Sequence, residues 1–586
     1  MSRLRSHRGA IGGREWRGHW ACIVTLTIAA VLPASSRCLA DEPSCVLATV
    51  NPLATDAGLQ AYREGGNAVD AAIAAALTLG VVDTHNSGIG GGCFILIRRP
   101  DGGMVAIDGR ETAPAAATAD MFVRDEVADP QLSTTGALAV GVPGALAAYE
   151  LALNRTGRRQ LSDLLRPAAE LAERGFAIDR VYADNLQSKA DVLAQFAGSR
   201  ATLLKPDGQP YREGETLRQP DLARTYRMIA DHGIDWFYRG PFASMVARWM
   251  SDHGGILTSV DFAAYLPVRR EPIVTRYRQF RVVGFPPPSS GGIHVAQILN
   301  ILECFDLASE RKNDPSAATN LIVEAMKLAF ADRAYWLGDA DFAEVPLGLT
   351  DKAYARSLAD RIRADRRTVV PSHGNPLQIK EGFFGRHTTH IAAADTEGYW
   401  VAITATVNTH FGSKVIVPGT GVVLNNEMDD FSSQPGVPNA FGLIGAANNA
   451  IAPGKRPLSS MSPTIVLDAD GRPVMTVGAA GGPKIITQVL LTIIRHLDFG
   501  DSLREAVAAP RFHHQWRPDS VLVEDAIDPS LVESLKSLGH EIVTTPHAGV
   551  TQAVGVDLSG NLLAVGDPRV PGKVGTATQG VAESAP

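Results

Sequence analysis

Cysteine is scarce in this chain of 586 residues: there are five, and two of them, Cys22 and Cys38, fall inside a basic N-terminal segment. The other three, Cys45, Cys93 and Cys304, are too widely spaced for a metal-ligand pattern and allow at most one disulfide. An excess of positive charge is also missing. The formal net charge is −7, and the first forty residues contribute +5 (six arginines against Glu15), so the remainder carries −7 − 5 = −12. An acidic body argues against nucleic acid as a partner, because phosphate binding needs clustered cations. Beyond residue 40 no apolar run reads as a membrane-spanning helix. Nucleotide fingerprints are lacking too. Ser87 to Cys93 is glycine-rich, but no Gly-Lys-Ser/Thr follows, and Phe94 to Ile97 reads as a strand rather than a helix. That spacing counts against a nucleotide-dependent oxidoreductase and favours backbone crowding or a strained turn.

What is present begins with an address. Arginines, the apolar run Ala21 to Leu32, Pro33 and the small-residue end Cys38-Leu39-Ala40 have the layout of a secretory signal peptide over 1–40. The expectation is an exported protein, periplasmic or extracellular, tethered to a membrane only if that segment is kept. The body has globular composition and is longer than the usual single domain.

Cys45 to Asn51 reads as a short strand, and Asn67 as the N-cap of an Ala-rich buried helix from Ala68 to Leu79, with Asp70 in its first turn. Val105 to Glu111 sets Arg110 at a strand end, in a small-residue context that suits a carboxylate partner. From about 141 to 364 the pattern is mainly helical, clearest over Asn320 to Leu337, and Pro286 to Gly292 is its sharpest punctuation. Asp365 to Phe384 loses apolar periodicity and reads as an exposed linker. Strands return at Thr389 to Ala394 and Trp400 to Val407. A five-residue loop between them, Asp395 to Tyr399, sets Thr406 opposite Thr388, with Thr404, Thr406 and Asn408 on one face. Asn425 to Phe431 is acidic and amide-rich, resembling a solvated turn, but without calcium-loop spacing. Ser432 to Lys455 suits a long surface loop or lid. The strand Val474 to Val477 leads through Gly481-Gly482-Pro483 into an apolar helix, Ile485 to Leu497. Gly481 and Gly482 can offer backbone N–H groups to an anion, whereas Pro483 cannot. Arg511-Phe512-His513-His514 has no spaced partners for a metal and reads as structural.

The most legible stretch is Gly385-Arg386-His387-Thr388-Thr389-His390. A threonine hydroxyl is a weak nucleophile without a base beside it. An N-terminal threonine carries its own base, an α-amino group with an unperturbed pKa of about 7.7–8.0. The corresponding hypothesis is a precursor that cuts itself between His387 and Thr388.

These stretches together resemble the γ-glutamyltransferase (γ-glutamyl transpeptidase) family of N-terminal nucleophile hydrolases. The likeness runs from about Val46 to about Val574, carried by Gly65 to Ala71, Ser87 to Gly92, Pro286 to Gly292, Thr388-Thr389-His390, Asn425 to Phe431, Leu458 to Thr464 and Gly481-Gly482. It implies an α+β fold, an αββα sandwich built from a large subunit, 41–387, and a small subunit, 388–586. It implies Thr388 as nucleophile, Thr406 supporting it, and Gly481 and Gly482 as oxyanion donors. Arg110, Ser459 and Ser460 would hold a substrate α-carboxylate, and Asn408, Glu427 and Asp430 its α-ammonium. Donors would be glutathione or other γ-glutamyl compounds, acceptors water, an amino acid or a dipeptide, with neither metal nor organic cofactor. A same-fold acylase for glutaryl-β-lactam or poly-γ-glutamate substrates is the nearest alternative. Three features depart from the family pattern: Cys45-Val46 in place of Gly-Met, Pro483-Lys484 after the oxyanion glycines, and Phe441 where some members carry a lid tyrosine.

Overall fold

Alternation along the strands decides how this chain folds, because successive side chains of a strand point to opposite faces. The computed structural model describes residues 45–376 and 389–579; the expected signal segment 1–40 and the expected cut at His387-Thr388 lie outside the described residues. The strands that position the site are, in chain order, β1 (Cys45–Thr49), β2 (Gly92–Arg98), β3 (Met104–Gly109), β4 (Val268–Arg270), β5 (Ile273–Tyr277), β6 (Phe280–Gly284), β7 (His390–Asp395), β8 (Trp400–Thr406), β9 (Thr464–Leu467), β10 (Pro473–Ala480), β11 (Val550–Val556), β12 (Leu562–Val565) and β13 (Lys573–Ala577). A seven-stranded sheet has the order β13-β1-β7-β8-β2-β3-β4, and a six-stranded sheet the order β12-β11-β10-β9-β6-β5. Every pairing within both sheets is antiparallel.

The two faces of each sheet enter different cores. In β2, Phe94 and Leu96 join Phe285, Ile465 and Val554 between the sheets, where the Phe94 and Phe285 rings stack with centroids 4.4 Å apart. Ile95 and Ile97 point the other way, into a core shared with helix α2 (Ala68–Val82), which lies beside α1 (Pro52–Arg63). On the far side of the second sheet, Val282, Val466, Met475 and Val477 pack with α3 (Ser290–Leu302), α4 (Pro315–Trp336) and α5 (Lys484–Leu497). Helices therefore cover both outer faces of two stacked sheets, the αββα arrangement.

Helix α2 shows why its sequence takes this form. Asn67 Oδ1 accepts from the Val69 and Asp70 amides, and Asp70 Oδ2 accepts from Asn67 N at 2.7 Å, a reciprocal cap. All of its residues are buried, which an Ala-rich helix apolar on every side requires.

Several expectations change on contact with the structure. Helix α1 is an addition, started by Asn51 as N-cap with Pro52 at its first position. The stretch read as mainly helical contains β4, β5 and β6. Their signal is masked because charged residues such as Arg276 and Arg281 occupy alternate positions near a sheet edge, where one face is wet. Within the expected linker, Asp365 to Pro376 is irregular and largely exposed, yet anchored: Val370 is buried and its carbonyl accepts from Trp516 Nε1.

Candidate active site

Antiparallel pairing brings one end of many strands to one edge of the sandwich. The start of β7, the ends of β8, β3 and β10, and the start of β2 all lie there. The β7–β8 register runs from Ala394 opposite Trp400 to His390 opposite Thr404, which leaves the five-residue loop Asp395–Tyr399 that the hairpin count predicts. Beyond it, Ala405 N donates to the Thr389 carbonyl. Thr388, the next residue back, lies outside the described residues. Thr404 and Thr406 share the face toward the second sheet: Thr404 Oγ1 meets His390 Nδ1 at 3.1 Å, and Thr406 Oγ1 accepts from Asn408 N at 2.7 Å. Asn408 itself has φ of +76°, an uncommon conformation for a side-chain-bearing residue and one that concentrates at functional sites. Gly91 allows the approach of this strand end, since a Cβ there would stand 1.8 Å from the Thr406 carbonyl oxygen.

Arg110, one residue beyond β3, is completely buried. Its Nη1 donates to Glu427 Oε1, its Nη2 to Asp430 Oδ2 at 2.6 Å, and its Nε to the Pro457 carbonyl at 3.3 Å. Glu111 Oε2 lies 3.6 Å from the same Nη1. The acidic stretch read as a solvated turn is thus a buried 3-10 turn, Glu427–Asp430, held by Asn425: its Oδ1 accepts from Glu427 N, and its Nδ2 donates to the Gly90 and Gly141 carbonyls. Burial pushes the Glu111 carboxyl up to about 8, only partly offset by Arg110, and raises Glu427 in the same way. Glu427 Oε2 and Asn408 Oδ1 are buried acceptors without a hydrogen-bond partner among the described residues. Ser459 and Ser460 are fully buried, and the Ser459 carbonyl accepts from Ser290 N at 2.8 Å.

In front of this cluster lies a cavity of about 600 Å³ lined by Thr389, Asn408, Phe441, Gly481, Gly482 and Lys484, among others. Gly481 and Gly482 have φ of +134° and +61°, and their amide N–H groups donate to no group of the described residues. They sit just before α5, whose N-terminus adds partial positive charge. The Phe441 ring packs on Gly482, so the loop expected to form a lid does reach the cavity. Arg110, Glu427, Asp430, Ser459 and Ser460 do not line it; Asn408 joins the two parts, its Nδ2 donating to the Asn426 carbonyl at 3.0 Å.

Sequence reasoning missed two members of the buried cluster. Glu111 is one. The other is Arg333 of α4, whose Nε donates to Ser290 Oγ at 3.3 Å while Nη2 has no partner among the described residues; burial pulls its pKa down to about 9, with Asp430 opposing. Little in the sequence marks Arg333, because the same helix also buries Glu324, Lys327 and Asp332. His513 and His514 behave as structural residues, held by Thr487 and Gln515 and by Asp519 and the Trp516 amide respectively. Among the described residues no group of three metal-ligating side chains is assembled.

Stacked sheets between helical layers are the architecture of the N-terminal nucleophile hydrolases, and similarity to solved members puts the chain in that class. The solved cephalosporin acylase from Bacillus halodurans superposes with a TM-score of 0.83 at 29% identity, covering 92% of this chain and 96% of that one. Residues 54–577 match the family described as Gamma-glutamyltranspeptidase, and the chain belongs to that family of enzymes. The glutathione hydrolase proenzyme of Escherichia coli (strain K12) is 44% identical over 531 residues, 89% of this chain and 90% of that protein. The acylase ACY 1 proenzyme of Pseudomonas sp. (strain SE83) is 38% identical over 530 residues, 88% and 90% respectively.

The buried ion cluster has a direct stability consequence. Removing its cation in Arg110→Met strands carboxylates away from water, which costs about 3–5 kcal/mol. Denaturant unfolding should show that loss, and Arg110→Met with Glu427→Gln should recover part of it. A single variant as stable as wild type would contradict the assigned pairing.

Proposed function

We propose that this chain is a γ-glutamyltransferase and glutathione hydrolase, exported and self-cleaved between His387 and Thr388 into fragments 41–387 and 388–586 that remain associated. The observation that carries the reading is the buried cluster. Arg110, expected to hold a carboxylate, and Glu427 and Asp430, expected to hold an ammonium, are bonded to one another. A zwitterionic α-amino acid head group can enter such a pair without changing the net buried charge, each end meeting the opposite sign. The open acceptors Glu427 Oε2 and Asn408 Oδ1 suit the ammonium. Arg110, with Ser459 and Ser460, suits the carboxylate.

In this scheme the Thr388 α-amino group takes the proton from its own hydroxyl as that oxygen attacks the γ-glutamyl carbonyl, with Thr406 orienting the hydroxyl. The oxyanion meets the Gly481 and Gly482 N–H groups, each donor of this kind being worth about 2.7–4 kcal/mol. The proton passes to the leaving amine, and a γ-glutamyl ester remains. Water or the amine of an amino acid or dipeptide then attacks the ester, losing its proton to the Thr388 amine as the threonine oxygen leaves. The scheme uses neither metal nor organic cofactor.

A glutaryl acylase reading has relatives in its favour, but a glutaryl group lacks the ammonium that the Glu427, Asp430 and Asn408 side would hold. A chromogenic γ-glutamyl anilide should therefore be turned over, faster with an acceptor dipeptide present, and the matching glutaryl anilide should not. The reverse preference would overturn the reading.

Head-group binding should also move protons. The free site holds a proton near neutral pH because burial raises the Glu111 carboxyl to about 8, and it moves Glu427 in the same direction. An ammonium beside these carboxyls favours their ionised forms and lowers their pKa values, so binding releases protons. Calorimetric titration with L-glutamate in two buffers of different ionisation enthalpy should show release near neutral pH, fading as pH rises past about 8. Proton uptake would contradict the assignment.

A further inference from the structure

Among the described residues one lysine lines the catalytic cavity, and the scheme above leaves it unused. Lys484 is the first residue of α5, directly after Gly481-Gly482-Pro483, and its side chain is half-buried in the cavity wall. Its Cε lies 3.7 Å from the point where a Cβ on Gly481 would stand, so the ammonium group hangs beside the oxyanion donors. It makes no hydrogen bond or ion pair among the described residues.

Three physical terms oppose a cation at this place. Burial removes water from it, and lowers its pKa for that reason alone. The N-terminus of α5 presents partial positive charge, which repels another cation. No carboxylate of the described residues neutralises it. The other ionisable groups of the cavity do not offset these terms. His513 is held through both ring nitrogens, by Thr487 Oγ1 at 3.0 Å and Gln515 Oε1 at 2.9 Å, and burial keeps it uncharged, its pKa pulled down to about 3. His85 and His410 are likewise lowered by burial. The two acids of the wall are engaged elsewhere: Asp179 caps a helix by accepting from Tyr182 N, and Asp83 accepts from Asn86 Nδ2 and lies 3.2 Å from His85 Nε2. All three opposing terms are relieved together by an anion entering the cavity.

The anion is not the glutamyl head group, whose carboxylate has the separate buried cluster around Arg110. What enters the open cavity is the part of the substrate beyond the scissile amide, and in the second half-reaction the acceptor that replaces it. We propose that Lys484 forms a carboxylate subsite for leaving and accepting groups, so that this enzyme prefers α-amino acids and short peptides with a free C-terminal carboxylate as γ-glutamyl acceptors. The proposal rests on the γ-glutamyltransferase reading. It assigns Lys484 a specificity role and no part in bond making.

The test compares glycylglycine with glycylglycinamide as acceptors for a γ-glutamyl anilide, whose own leaving group carries no carboxylate. In wild type the free dipeptide should have a KM lower by about tenfold or more, the usual worth of a charge-assisted hydrogen bond. In Lys484→Gln the ratio of the two KM values, read within that one enzyme, should fall to about one. Lys484→Arg should keep it, and Lys484→Glu should invert it toward the amide. Equal use of both acceptors by wild type overturns the proposal without any variant, as does a ratio retained in Lys484→Gln. If the glutamine variant does not mature, Lys484→Arg and Lys484→Glu decide the matter by retention against inversion. Absence of anilide release by wild type would instead overturn the underlying activity, so the two failures are distinguishable.

Discussion

A guanidinium without water has to be met by carboxylates, and Arg110 is met by residues more than three hundred positions away. Its bonds to Glu427 and Asp430 tie the end of β3 to the loop that follows β8, and the Pro457 carbonyl adds a third segment. The expected cut falls between the two halves of this cluster. An enzyme severed there would still be held at its site by ion pairs as well as by the pairing of β7 with β1 and of β8 with β2. The same cluster supplies opposite charges at a spacing that a zwitterionic head group can exploit, so the contact that organises the edge of the sandwich is also the one that would recognise the substrate.

Around it the site divides by exposure. The charge cluster is buried and closed, suited to one invariant head group. The cavity in front, with Asn408, Phe441, Gly481, Gly482 and Lys484 in its wall, is open and mixed in character. Such a division fits chemistry in which one half of the substrate is always the same and the other half is exchanged. Relatives named glutathione hydrolase and acylase are both similar to this chain over most of its length.

Legibility in the sequence followed the range of the interaction. Local devices could be read directly: the Asn67 cap of α2, the five-residue hairpin loop that sets the β7–β8 register, and the glycines whose crowding Gly91 shows against Thr406. Arg110 with a carboxylate partner, Thr406 opposite Thr388 and the Gly481-Gly482 donors could be read from the residues; Glu427 came from the family resemblance, and neither reading gave its bond to Arg110. What stayed hidden depended on tertiary placement. The Asn425 to Phe431 stretch looks solvated because it is acidic, and only the distant arginine explains its burial. Glu111 and Arg333 look like ordinary charges until their surroundings are known. The strands β4 to β6 carry arginines on a wet edge, which blurs the alternation that marks strands elsewhere.

The most direct test of this account is mass spectrometry of the purified protein after acid quenching with a γ-glutamyl donor. The account predicts a fragment that begins at Thr388 and carries a γ-glutamyl group on that residue. An active protein that remains one uncut chain, or an adduct on the other fragment, would contradict it.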